Sequence, residues 1–196
     1  MQALFFALFA AGIVAADQIT KYLTVTNIAI SPRCIPGILE NIGPTAIEKL
    51  YNAYGVTQEQ IAGMPVSKPA IEGVFQFSHH LNDGAAWSSF QGQQWLFALI
   101  FVVFTVAIVW EYKKKSMGFT TFEWWCIAAI YGGGLGNMID RVRFGYVIDM
   151  IETKFIDFPV FNVADCFITC GCIALIVHLV FFNKKFWKDE KKKASP

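Results

Sequence analysis

The sequence predicts an α-helical integral membrane protein, with four transmembrane helices and a small extracytoplasmic β/helical segment. Three observations lead there. Over 196 residues the chain is 55% hydrophobic and only 16% charged, with a mean hydropathy of +0.45; average soluble domains run at roughly 45–50% apolar and about 25% charged. Its apolar residues gather in four long blocks. Its lysines gather just after two of those blocks. A cytosolic enzyme is excluded by the first observation, and a nucleic-acid partner by the net charge of +1, which leaves no basic excess. Five cysteines, four of them in apolar stretches and Cys34 in a polar one, do not indicate a disulfide framework.

The first block, Ala3 to Ala16, carries no charge before Asp17 and Lys21. Val14-Ala15-Ala16 looks like a small-residue cleavage site, but no Lys or Arg precedes it, so the block reads as a span and not as a signal peptide. The second block runs from Gln93 to Tyr112, the third from Phe119 to Ile139 with Glu123 near its start, and the fourth from Val160 to Phe182 with Asp165 and His178 inside it. Each approaches the roughly 20 residues that cross about 30 Å of hydrocarbon as a helix. Lys113, Lys114 and Lys115 follow the second block; Lys184, Lys185, Lys188, Lys191, Lys192 and Lys193 follow the fourth. The positive-inside rule makes both segments, and hence both termini, cytoplasmic, leaving 24–92 and 141–159 outside.

The stretch from Thr24 to Gly92 is too long for a plain connection. Thr45 to Glu48 has the capping-box pattern, with Ile47, Leu50, Tyr51 and Tyr54 following on one helical face. Thr57 to Gln60 opens a second short helix that Gly63 and Pro65 close. Val74 to Ser78 alternates in part and predicts a strand leading to Asn82. His79 and His80 would point to opposite faces of that strand, and they read as surface residues, not as metal ligands.

The chemistry-bearing residues cluster, and the predicted orientation puts every cluster at the outer face. Asp17 and Lys21, four apart, share a helix face and can pair. Asn82-Asp83-Gly84-Ala85-Ala86-Trp87 precedes the second span, GGGLGNMIDR ends the third at residues 132–141, Val147-Ile148-Asp149-Met150 follows, and Phe161-Asn162-Val163-Ala164-Asp165 opens the fourth. Gly132 and Gly136 form a small-xxx-small pair for close helix packing; no nucleotide-loop spacing is present. Asn137 and Asp140 face one side, with Arg141 adjacent. Asn162 is an N-cap candidate that sets Asp165 at the third helical position, where the helix terminus favours an anion. Two carboxylates, Asp149 and Asp165, brought to one half-buried site cannot both ionise easily, so one keeps a proton near neutral pH, and Asp149 is the expected holder. Such a pair can activate water with one member and protonate with the other. No Ser-His-Asp set is evident, and Cys166, Cys170 and Cys172 read as packing residues, so no cofactor or metal is implied.

DQITK at 17–21, NDGAAW at 82–87, GNMIDR at 136–141 with VIDM at 147–150, and FNVAD at 161–165 resemble, in order and spacing, the motif blocks of the bacterial lipoprotein signal peptidases, or signal peptidase II family. The resemblance implies an aspartyl endopeptidase of the bacterial cytoplasmic membrane. It would cut prolipoproteins just before a cysteine carrying a diacylglyceryl group, in contact with membrane lipid and open to a globomycin-type inhibitor. It makes Asp149 and Asp165 the catalytic pair, supported by Asp17, Lys21, Asn82, Gly84, Asn137, Asp140, Arg141 and Asn162. The departure is an insertion at about 34–72, with short amphipathic helices expected to act as a lid or a membrane-surface rest within an otherwise single peptidase domain. A rival reading, a small ion-coupled or lipid carrier, is disfavoured because the acids lie at one face and not near the midplane, and no repeat relates the two halves. A non-catalytic scaffold gives no reason for two aspartates on facing elements.

Overall fold

The computed structural model describes residues 2–84 and 90–183. Ala85, Ala86 and Trp87, and the tail lysines from Lys184 to Lys193, lie outside the described residues, so the orientation expectation there rests on sequence alone. In chain order the elements are α1 (Gln2–Asn27), α2 (Ile35–Asn41), α3 (Ala46–Tyr54), α4 (Gln58–Gly63), β1 (Ser67–Ile71), β2 (Phe75–Asn82), α5 (Gln94–Lys114), α6 (Thr121–Phe144), β3 (Val147–Thr153) and α7 (Val163–Phe181). Among the described residues three helices are long and apolar enough to cross a membrane: α1 from Ala3, α5 and α7. Their apolar side chains face outward, as Leu4, Leu8, Val103, Val106, Ile173 and Ile176 show. Such a surface is stable in hydrocarbon and a liability in water. Helix α6, 24 residues long, falls outside that group. It is polar at both ends, with Glu123 in its first turn and Asn137, Asp140, Arg141 and Arg143 in its last two.

Helix α6 is the centre of the bundle, with α1 on one side and α7 on the other. Its glycines permit the approach. A Cβ on Gly132 would stand 3.0 Å from the Ala10 carbonyl oxygen of α1, and one on Gly133 would stand 2.5 Å from the Ala164 carbonyl oxygen of α7 and 2.8 Å from Ile168 Cγ1. Gly132 and Gly136, against Ala10 and Asp17 of α1, have the packing role expected of the pair, and Gly133 adds a close approach to α7 that the spacing did not single out. Gly133→Ala should force α7 outward and cost about 1–3 kcal/mol, the usual penalty of overpacking. A thermal unfolding midpoint in detergent indistinguishable from that of the unsubstituted chain would refute this.

The sheet, in order β1-β2-β3 and antiparallel throughout, sits at the end of the bundle where α1 and α6 finish and α7 begins. Gly73, at φ 73°, makes the turn between β1 and β2. The predicted strand is present and runs on to Asn82. A second core lies under the sheet: Val25 of α1, Ile38 of α2, Leu50 and Tyr51 of α3, Phe144 of α6, and Tyr146 and Ile148 are all buried. The Tyr146 hydroxyl donates to the Ala46 carbonyl at 3.0 Å, and the Ile30 N–H donates to the Tyr51 hydroxyl at 3.3 Å. Helices α2 and α3 are thus cemented to the bundle, whereas α4 buries no residue.

Two expectations fail in this region. Thr45 forms no capping box: its backbone is already helical (φ −91°, ψ 0°), because Ala46 bonds back to Gly43 in the preceding turn, and a capping side chain needs an extended residue. Thr57 is extended and does form its box with Gln60. His79 is not a surface residue. It is fully buried, with Nδ1 3.0 Å from the Ile28 carbonyl, and burial pushes its pKa down to about 4. An irregularity between Phe77 and His80 in the β2–β3 register, together with a bridge from Ile30 to His79, closes the chain over this side chain.

Candidate active site

Local sequence sets the starting positions. Asn162 is extended (φ −128°, ψ −178°) and caps α7: its Oδ1 accepts from the Asp165 N–H at 2.9 Å, while Asp165 Oδ2 accepts from the Asn162 N–H at 3.1 Å. This reciprocal box fixes Asp165 in the first turn, as its spacing predicts. Asp149 comes from β3, two residues from the strand's start at Val147.

The Asn162 side-chain amide, with its oxygen spent on the cap, turns its nitrogen outward and donates to Asp149 Oδ1 at 2.7 Å. The same asparagine therefore touches both carboxylates. Asn137 of α6 is the second bridge. Its Oδ1 accepts from Lys21 Nζ at 3.1 Å and from Asn162 Nδ2 at 3.0 Å, and its Nδ2 donates to Asp165 Oδ1 at 2.8 Å. Lysine can only donate, so the amide has one orientation that satisfies all its partners. Asn82, at the end of β2, donates to the other Asp149 oxygen at 3.0 Å.

Behind this layer Lys21, fully buried, lies 2.8 Å from Asp17 Oδ2 and 2.7 Å from Asp140 Oδ2. Each acid has a second task. Asp17 Oδ1 accepts the Ala164 N–H at 3.1 Å, satisfying an orphan donor in the first turn of α7, and Asp140 Oδ2 accepts the Ile148 N–H at 3.2 Å beside Asp149. The charge triad thus joins α1, α6, β3 and α7. Gly136 leaves room for Asp17, since a Cβ there would stand 2.6 Å from its Oδ2. Arg141 Nη2 donates to the Gly84 carbonyl at 2.7 Å, and its guanidinium carbon lies 4.2 Å from the centre of the Phe97 ring.

The ten residues singled out from the sequence therefore form one connected set. Sequence reasoning missed Gln18, whose Nε2 donates to Asp140 Oδ1 at 3.0 Å and to the Gly136 carbonyl at 3.3 Å; a polar residue between Asp17 and Lys21 in an otherwise apolar helix was the available signal. It also missed Phe97, for which a run of bulky apolar residues gives no signal. A separate polar cluster, Glu123 with His178 at 3.0 Å and Asn183 at 2.9 Å, sits at the opposite end of α6 and α7 and takes no part.

Asp149 and Asp165 open together onto a cleft of about 830 Å³ between α5, α6 and α7, walled by Phe97, Phe101, Phe104, Ile130 and Ile168. Asp149 is 2% exposed, and its pKa is pushed up to about 8, first by that burial and then by the charge of Asp165 beside it. A carboxyl that holds its proton near neutral pH, next to a second carboxylate at a helix N-terminus, is the pairing that acid–base chemistry on water requires.

A membrane helical bundle with paired aspartates at one end is the architecture of a membrane-embedded aspartic peptidase, and comparison with known proteins agrees. The family described as Signal peptidase (SPase) II matches residues 9–181. A lipoprotein signal peptidase of Enterococcus faecalis is 33% identical over 180 residues, 90% of this chain and 88% of that one. One of Lactobacillus johnsonii is 40% identical over 142 residues, 70% of this chain and 87% of the relative. A solved bacterial membrane enzyme, obtained by the in meso method at 1.9 Å resolution, superposes with a TM-score of 0.66 at 28% identity, covering 91% of this chain and 94% of that one. The chain belongs to the signal peptidase II family and is an aspartic-type peptidase.

Proposed function

We propose that the chain removes the signal peptide of lipid-modified prolipoproteins, cutting on the N-terminal side of the diacylglyceryl-cysteine with Asp149 and Asp165 as the catalytic pair. The observation that carries this reading is that one asparagine, Asn162, donates to both carboxylates lining the apolar cleft, to Asp149 through its side-chain amide and to Asp165 through its backbone N–H. Asp165 takes a proton from water as the water oxygen attacks the scissile carbonyl carbon. The Asp149 carboxyl gives its proton to the carbonyl oxygen, so a neutral tetrahedral diol forms. On collapse the cysteine nitrogen takes the proton from Asp165, the C–N bond breaks, and a hydroxyl of the diol returns its proton to Asp149. The products are a signal peptide with a new carboxyl terminus and a lipoprotein with a free amine. Asn82, Asn137 and Asn162 hold the acids in place; Asp17, Lys21 and Asp140 hold the asparagines and the ends of the helices; Arg141 fixes the backbone at Gly84.

In this reading the apolar cleft takes the acyl chains and the end of the signal helix, and a globomycin-type inhibitor would occupy the same volume. The whole chain acts as a single peptidase domain of the bacterial cytoplasmic membrane, with 34–72 as its extracytoplasmic insertion. Helix α6 is then the fourth span: 24 residues reach about 36 Å, and its polar last turns end at the catalytic face. The proposed topology has both termini inside. Its support is that Lys113 and Lys114 in the last turn of α5 lie at the other end of the bundle from the acids.

The test compares two prolipoproteins that differ only in diacylglyceryl modification, offered to the enzyme in lipid vesicles. Only the modified one should be cut, and its product should begin at the modified cysteine by mass spectrometry. Equal cleavage of both, or a new terminus elsewhere, overturns the reading. A second expectation concerns pH. The Asp149 pKa is raised, so its proton is in place below about pH 8 and is lost above it. Cleavage at subsaturating substrate should therefore decline as the pH passes about 8; a rate still rising between pH 8 and 10 would contradict the role given to Asp149.

A further inference from the structure

Asp149 lines two cavities. Besides the apolar cleft, it lines a groove of about 480 Å³ at the end of the molecule proposed above as outer, and Asn82 and the Phe158–Pro159–Val160 segment border both. The groove has the size of a ligand pocket and the opposite character to the cleft. Arg33, His80, Asp83, Glu152 and Asp157 contribute to its walls, and Cys34, Gly37 and Ile38 of the segment around α2 form one side. Ile38 and Leu81 of this wall belong to the buried core beneath the sheet, so the wall is rigid.

A peptidase that cuts at Asp149 must accommodate chain on both sides of the scissile bond. The lipid and the signal helix are apolar and match the cleft. The polypeptide that follows the cysteine is bound for the aqueous phase and matches a groove lined with charge. Resting on the cleavage reading above, we infer that the outer groove is the subsite for the first residues after the lipid-modified cysteine, and that α2 is a wall of this subsite and not a lid. The groove also has a preference in charge. Asp83, Glu152 and Asp157 outnumber the basic groups beside them, Arg33 at 3.7 Å and Lys154 at 3.6 Å, both of which approach Glu152 and leave Asp83 and Asp157 without a cation among the described residues, while burial lowers the pKa of His80 and favours its neutral form. Basic residues after the cysteine are favoured there and acidic ones disfavoured.

Gly37 gives the means to fill the groove, since a Cβ on it meets nothing within 4 Å. The experiment measures kcat/KM for two lipid-modified substrates with the same signal peptide, one ending just after the cysteine and one continuing for several residues. Gly37→Trp should lower the ratio of long to short by at least about fivefold, the scale of a lost contact worth about 1 kcal/mol. An unchanged ratio overturns the assignment, whether or not both rates fall together. Because that variant could disturb α2, Asp157→Lys on the exposed loop supplies a second reading. The unsubstituted enzyme should prefer a long substrate with lysines after the cysteine over one with aspartates, and Asp157→Lys should shrink or reverse that preference. No preference in either enzyme overturns the charge part. Failure of the unsubstituted enzyme to cut even the short substrate would count against the cleavage reading, not against the groove.

Discussion

Asp149→Asn and Asp165→Asn should each lower the cleavage of a lipid-modified prolipoprotein by at least about 10³-fold, the upper part of the range for loss of a positioned acid or base. Asparagine keeps the size of the side chain and one of its two acceptor oxygens, so it removes the titrating group with little change in packing and at the loss of one accepted hydrogen bond. The two substitutions act on one device, so the double variant should be no slower than the worse single one by any large factor. The control is the fold. Asn162 still caps α7 through the Asp165 N–H, and Asn82 still has an oxygen at position 149 to donate to. The variants should therefore keep their unfolding midpoint in detergent within a few degrees. Either variant cutting at near the unsubstituted rate would refute the acid-pair mechanism. Loss of activity together with loss of the folded state would show that the substitution tested packing instead, and Asp165→Asn with Asp149 intact is the cleaner of the two because Asp165 is half-buried.

Lys21→Met should be the most destabilising single change in the bundle. Lys21, Asp17 and Asp140 are all at 0% exposure, with one ammonium lying 2.8 and 2.7 Å from the two carboxylates. Methionine has similar bulk and no charge, so it leaves two buried acids facing each other. Breaking a buried pair in this way costs about 3–5 kcal/mol. The thermal midpoint in detergent should fall accordingly, and Asn137, which loses its Lys21 donor, should be less well held. The diagnostic comparison is the triple variant Asp17→Asn, Lys21→Met, Asp140→Asn. Neutral amides can still accept from the Ala164 and Ile148 N–H groups, so part of the loss should be recovered. If the triple variant is no more stable than Lys21→Met alone, the cost does not come from stranded charge.

Features that depend on a few neighbouring residues could be read directly. Asn162 with Asp165, Thr57 with Gln60, and Asp17 with Lys21 form the pairs their spacing predicts, because each is closed within one helical turn. Thr45 shows the limit of such reading: its motif is intact, but the turn before it bends the backbone out of the extended conformation that a cap requires. His79 shows another limit. Alternation says that neighbours in a strand point opposite ways, yet it does not say which face is covered, and here Ile28, Tyr51 and the chain near Ile30 cover one of them.

The sequence by itself determined that this is a membrane protein and that its acids and amides gather at the ends of apolar helices, and it singled out Asp149 and Asp165 as the pair proposed here to carry the chemistry. Helix length, apolar runs, lysine placement and cap spacing are all local properties of a chain in a bilayer. Only the tertiary structure decided which amide serves which acid. Asn137 bridges to Asp165 across 28 residues, and Asp17 caps a helix 147 residues away, a partnership with no trace in any local spacing. It also decided that the helices before β1 divide their roles, α3 filling a core and α2 walling a groove, because burial is settled by what packs on a face and not by the face alone.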